Sequence, residues 1–148
     1  MKMSKNLSIG IDDNQNELMS AHSSKVRLYC MWKKPLETND VYLERFKEYW
    51  STADAAAGQN CLVPDIFKTS EKYKHMSDEA WIEATKAIYF FLYADHIRFG
   101  DKIREVSENI VLGTDQFPTT LDAVYCILSD TQSRLNQDCI RCRVNAND

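Results

Sequence analysis

Few residues in this chain are of a type and spacing that could do chemistry. His22, His75 and His96 share no motif with a cysteine. There is no Gly-rich phosphate loop, no G-x-S-x-G and no H-E-x-x-H. Cys139-x-x-Cys142 has a metal-like spacing, because two thiolates so placed can occupy adjacent corners of a zinc tetrahedron. Two more ligands are needed, and no His or Cys follows Cys142, so two free thiols is the plainer reading. Arg134, Arg141 and Arg143 surround that pair with positive charge and are the candidate nucleic-acid contacts. Glu37 and Arg45 lie eight residues apart, on either side of a helix start. A carboxylate at Glu37 could accept backbone N–H bonds there or pair with the Arg45 guanidinium. Spacing alone leaves it as a solvated surface pair contributing little.

The elements that must position these residues are helical. Only 4 Gly and 3 Pro interrupt 148 residues, fewer breakers than a fold of many short strands requires. Hydrophobic residues at 44% and charged residues at 27% are ordinary for one folded domain. No apolar run approaches the roughly 20 residues of a membrane span, and the basic start Met1–Ser8 lacks the apolar stretch of a signal peptide. Five cysteines at irregular spacing fit a reducing, cytoplasmic setting better than a disulfide framework. A net charge of −4 argues against a dedicated nucleic-acid binder.

The chain divides into a polar arm over 1–14, a helical domain over 15–136 and a polar tail over 137–148 carrying the C-x-x-C. A first helix runs from Asn16 to Trp32, with Leu18, Met19, Val26, Tyr29 and Cys30 as its apolar positions, and Pro35 stops it. A second starts at Thr38-Asn39-Asp40, carries the stripe Tyr42, Phe46, Tyr49, Trp50, Ala53 and Ala57, and ends at Gly58. Pro64 could open a short helix through Ile66 and Phe67. Ser77 caps a third helix, with Met76 and Trp81 as a hydrophobic staple. Its run Ala87–Tyr93 is apolar or aromatic on all sides, so it is either central or gives a second face to a partner. Trp81, Ile88, Tyr89, Phe90 and Tyr93 are the candidate interface. Asp95 caps a fourth helix with the stripe Ile97, Phe99, Ile103, Val106 and Ile110, ended by Gly113. Thr120 caps a fifth, with Leu121, Val124, Tyr125 and Leu128 inward, running to about Asn136. The fold class is therefore all-α, a bundle of about five helices.

The segment Lys33-Lys34-Pro35-Leu36-Glu37-Thr38-Asn39-Asp40-Val41-Tyr42-Leu43-Glu44-Arg45-Phe46 resembles the major homology region of retroviral and retrotransposon Gag capsid proteins, approximately Q-G-x-x-E-x-x-x-x-Y/F-x-x-R-F. Glu37, Tyr42, Arg45 and Phe46 match, whereas Lys33 and Lys34 stand where that family has Gln and often Gly. The phrases Phe91–Gly100 and Asp115–Tyr125 are similar, in order and spacing, to the Gag of copia-type LTR retrotransposons, diatom elements in particular. The resemblance covers about residues 25–135. It implies a C-terminal capsid-like domain in which Glu37 and Arg45 form a hydrogen-bond network tying a turn to a helix, with Tyr42 and Phe46 in the core. Lys33 cannot accept a bond as Gln can, so that network is altered here. It also implies that Cys139 and Cys142 are the first half of a zinc knuckle whose second half is absent.

The function so implied is structural: a Gag-like capsid protein that associates with itself, contacts RNA weakly if at all, and is not an enzyme. It calls for no cofactor, no small-molecule substrate and no membrane. The alternatives are a helical module binding a heterologous protein and, further off, a small thiol-dependent enzyme, for which the sequence shows no activating neighbourhood around any cysteine.

Overall fold

The computed structural model describes residues 13–57, 62–65, 69–71, 73–114 and 117–146, the side chains of 13–18 excepted. Those residues form an all-α fold of five helices: α1 (Asp13–Tyr29), α2 (Asn39–Ala57), α3 (Asp78–Leu92), α4 (His96–Val111) and α5 (Leu121–Asn145). The positions expected for the arm before Asp13, for Gly58 and for the short helix through Ile66 and Phe67 lie outside the described residues.

Local chemistry sets four of the five helix starts and the end of α4. Thr38 Oγ1 accepts from the Val41 N–H at 3.3 Å, Ser77 from Ala80 at 3.2 Å, Asp95 from Ile97 at 2.9 Å and Thr120 from Ala123 at 3.2 Å. Each satisfies one of the N–H groups that a helix start leaves without an intrahelical partner. At the end of α4, Gly113 takes φ 72°. Its N–H meets the Ile110 carbonyl at 3.0 Å and that of Thr114 meets Asn109 at 2.9 Å, the paired bonds of a Schellman motif.

The core is aromatic at its centre. Tyr42, Phe46, Trp50 and Ala53 of α2 meet Ala87, Phe90 and Phe91 of α3, with Phe99, Ile103 and Val106 of α4 and Leu121, Val124 and Leu128 of α5 closing around them. Tyr42 stacks on Phe90 with ring centroids 4.4 Å apart, and Phe46 meets the same ring edge-on at 5.3 Å. A smaller cluster of Val63 and Ala84 gathers Tyr73, Met76, Trp81 and Ile88, so the two residues of the staple do pack together with it.

Four sequence readings are corrected. In the first helix Leu28 is buried, whereas Met19 and Val26 are exposed, and α1 ends at Tyr29, short of Trp32. Ile97 does not join the α4 stripe: it is 85% exposed. It precedes Phe99 by two residues, roughly 200° around a helix, and so faces the other way. Phe90 is fully buried and cannot serve an intermolecular surface in this fold. Finally, α5 does not stop near Asn136 but continues to Asn145, through what reads as tail. No Gly or Pro occurs after Pro118 to end it.

Candidate functional site

The segment between α1 and α2 is built around a proline turn. Pro35 occupies the second position of a turn closed by the Glu37 N–H on the Lys34 carbonyl at 3.1 Å, where its fixed φ is an advantage. The turn brings the Glu37 carboxylate back over the first turns of α2, and there it meets Arg45. Arg45 Nε donates to Glu37 Oε1 at 2.8 Å and Nη2 to Oε2 at 2.7 Å, a two-pronged ion pair. The Lys34 N–H adds a third bond to Oε2 at 2.9 Å. Arg45 Nη2 also reaches the Trp32 carbonyl at 2.7 Å. The spacing of Glu37 and Arg45 thus produces both outcomes at once, a carboxylate bonded to backbone and to a guanidinium.

The electrostatics follow. Hydrogen bonds from Arg45 hold the Glu37 carboxyl below its ordinary pKa, with the Lys34 N–H and the Arg45 charge helping and partial burial opposing. The same bonds raise Arg45 above its ordinary value. The guanidinium lies 5.9 Å from the Tyr49 ring centroid.

Lys33 is the other arm of the arrangement, and it is buried. Its N–H donates to the Tyr93 carbonyl at 2.8 Å, fastening the turn to the end of α3. Its ammonium donates to the Glu37 carbonyl and stands 5.4 Å over the Phe99 ring of α4. Burial lowers its pKa first and Arg98 lowers it further, while Asp95 and Glu37 oppose. Lys33 therefore works wholly as a donor, onto carbonyl oxygens. Tyr42 completes the set: its hydroxyl donates to the Phe90 carbonyl at 2.8 Å, and burial pushes its pKa up. Lys33, Glu37, Tyr42, Arg45 and Phe46 thus come together as one latch, which fixes a turn to α2 and to the α3–α4 junction. What the arrangement does chemically is position backbone.

The other sequence-derived residues are dispersed. Tyr89 and Tyr93 are half-buried and stacked, 5.8 Å apart, under Tyr29 and Trp32. Burial and the nearby Tyr29 push the Tyr89 pKa up to about 12. Trp81 and Ile88 pack on the small second cluster, and Trp81 Nε1 donates to the Tyr73 carbonyl at 2.7 Å. The face of α3 assigned to a partner is largely covered by its own chain. Cys139, Cys142, Arg134, Arg141 and Arg143 are all exposed on α5. The two thiols sit on a helix, and among the described residues no three His, Cys, Asp or Glu side chains gather to hold a metal ion. None of the described helices is long and apolar enough to cross a membrane.

Four polar ties escape the sequence reading. Asp95, the α4 cap, also pairs with Arg98 Nε at 3.0 Å, and Arg98 Nη1 reaches Gln132 of α5 at 3.2 Å. Glu83 Oε1 accepts from the Leu121 N–H at 2.9 Å, a second cap for α5 supplied by α3. The Tyr125 hydroxyl donates to Asp40. Only the Asp95–Arg98 pair had a signal, an acid three residues before a base on one helix face.

Compared with known proteins, the chain matches no family, no curated sequence and no solved structure.

Proposed function

We propose that this chain is a non-enzymatic structural domain of the Gag capsid kind, whose work is to associate with copies of itself. The observation that supports this reading is the latch. A capsid-like resemblance implied that Glu37 and Arg45 tie a turn to a helix while Tyr42 and Phe46 enter the core, and these residues do so in this fold. A latch of this kind fits a building block better than a reaction centre. Its donors and acceptors are spent on one another, so it contributes rigidity, and rigid units lose less entropy on assembly. Many weak contacts between such units can then add up to a particle. Arg134, Arg141 and Arg143 offer at most a weak, salt-dependent contact to RNA in this reading.

Electron microscopy of concentrated protein before and after raising the salt tests the proposal. Ordered particles, tubes or sheets are the expected result. Dispersed monomers under every condition, with one heterologous protein captured instead, would move the reading to an interaction module.

A further inference from the structure

The least explained part of the molecule is the second half of α5. From Asn136 to Asn145 every residue is exposed, so none of these side chains is buried in the core. It continues a helix already nucleated and packed at Leu121, Val124 and Leu128, and has no buried residue of its own. The stretch nevertheless carries an apolar seam. Leu135, Cys139, Cys142 and Ala146 follow one another at spacings of four, three and four, the spacing of the inner positions of a two-stranded coiled coil. That seam faces a groove of about 680 Å3 between the first turn of α4 and the end of α5, with Ile97, Arg98 and Leu135 among its walls. Ile97, displaced from the α4 stripe, lies bare at its edge.

Charge decides what fits there. Asp138 and Arg143 flank the seam on opposite sides, five residues apart, and neither has an ion-pair partner among the described residues. In heptad terms Asp138 is a g position and Arg143 an e position. When two such helices lie parallel, each g side chain meets the e side chain five residues further along the other helix. The stretch is therefore complementary to itself in one orientation: Asp138 of each copy meets Arg143 of the other. An antiparallel pair would set Asp138 near Asn145 and leave the arginine without an acid.

We infer that the end of α5 is a contact between two copies of this chain, a short parallel pair built on Leu135, Cys139 and Cys142 and flanked by two Asp138–Arg143 bridges. Ile97 of each copy borders the pair, and Ile140 and Val144 stay on its outer side. This rests on the self-association reading and adds to it the surface and the orientation.

Charge exchange tests it, with the full chain under reducing conditions and sedimentation velocity as the readout. D138R and R143D each place like charges across both bridges and are expected to weaken self-association about tenfold or more. The double variant D138R/R143D restores both bridges and is expected to recover. A mixture of the two single variants is expected to pair better than either alone, because one chain then offers two arginines and the other two aspartates. Both sites are exposed, so circular dichroism should show unchanged helicity. If the native chain associates and every variant associates equally well, or the double variant and the mixture fail to recover, the α5 contact is wrong while the proposed function stands. If the native chain is a monomer throughout, both fall.

Discussion

Glu37 accepts three hydrogen bonds and Arg45 donates three, so replacing either leaves charged or backbone groups without partners. Bonds to charged groups contribute about 1.5–3 kcal/mol each, less where water can substitute. Glu37→Ala should therefore cost about 2–3 kcal/mol in urea unfolding. Arg45→Lys keeps the charge but loses the fork and the reach to Trp32, and should cost about 1–2 kcal/mol. Equal, negligible losses would return the pair to the solvated surface contact that spacing alone suggests. Titration adds a second check. Glu37 is held below its ordinary value of 4.5, so its contribution is complete above that pH and is lost as pH falls through the lower folded value. Tyr42 and Tyr89 are raised above 10.0, so theirs is complete below pH 10 and is lost as pH rises further. Tyr42→Phe keeps the stack on Phe90 but removes the hydroxyl. Its melting temperature should be lower than the native value near neutrality and fall less steeply above pH 10. Parallel curves would contradict the assignment to Tyr42.

The helices respond to substitution according to what ends or lines them. Gly113 stands at φ 72° with no atom of the described residues within 4 Å of the position of a Cβ, so Gly113→Ala acts through backbone strain and should cost about 1 kcal/mol. Gly100 lies within α4, where a Cβ would meet, among the described residues, only the His96 Cβ at an ordinary 3.8 Å. Gly100→Ala should stabilise by about 0.5–1 kcal/mol. Thermal melts of the two variants should move in opposite directions. The same distinction explains what was legible beforehand. Caps at Ser77, Asp95 and Thr120, and the stop at Gly113, are written in single residues and appear in the structure as read. Phe90 is not so legible. On a helix apolar all round, periodicity does not say which ring points to α2, so the pattern counts Phe90 with a partner-facing surface although Tyr42 and Phe46 claim it. The end of α5 is illegible for the reverse reason: beyond Leu135 no stripe turned toward the core continues, although the backbone stays helical.

At the scale of the molecule, one aromatic core joins all five helices, and the polar ties outside it cluster where elements meet. Lys33 binds the turn to the ends of α3 and α4, Arg98 binds α4 to α5, and Glu83 starts α5 from α3. The Glu37–Arg45 tie was readable because both partners lie in one short segment, an acid just before a helix start and a base two turns in. The Arg98–Gln132 tie, between residues 34 positions apart, has no local signature. The result is a small, braced unit with an exposed α5 end, to which the proposed function assigns repeated contact between copies. Sedimentation equilibrium of the full, reduced chain over a wide concentration range measures that directly. The account predicts a weight-average mass that climbs from monomer toward dimer and beyond as concentration rises. A mass that stays at the monomer value up to millimolar protein, in low and high salt alike, would contradict it.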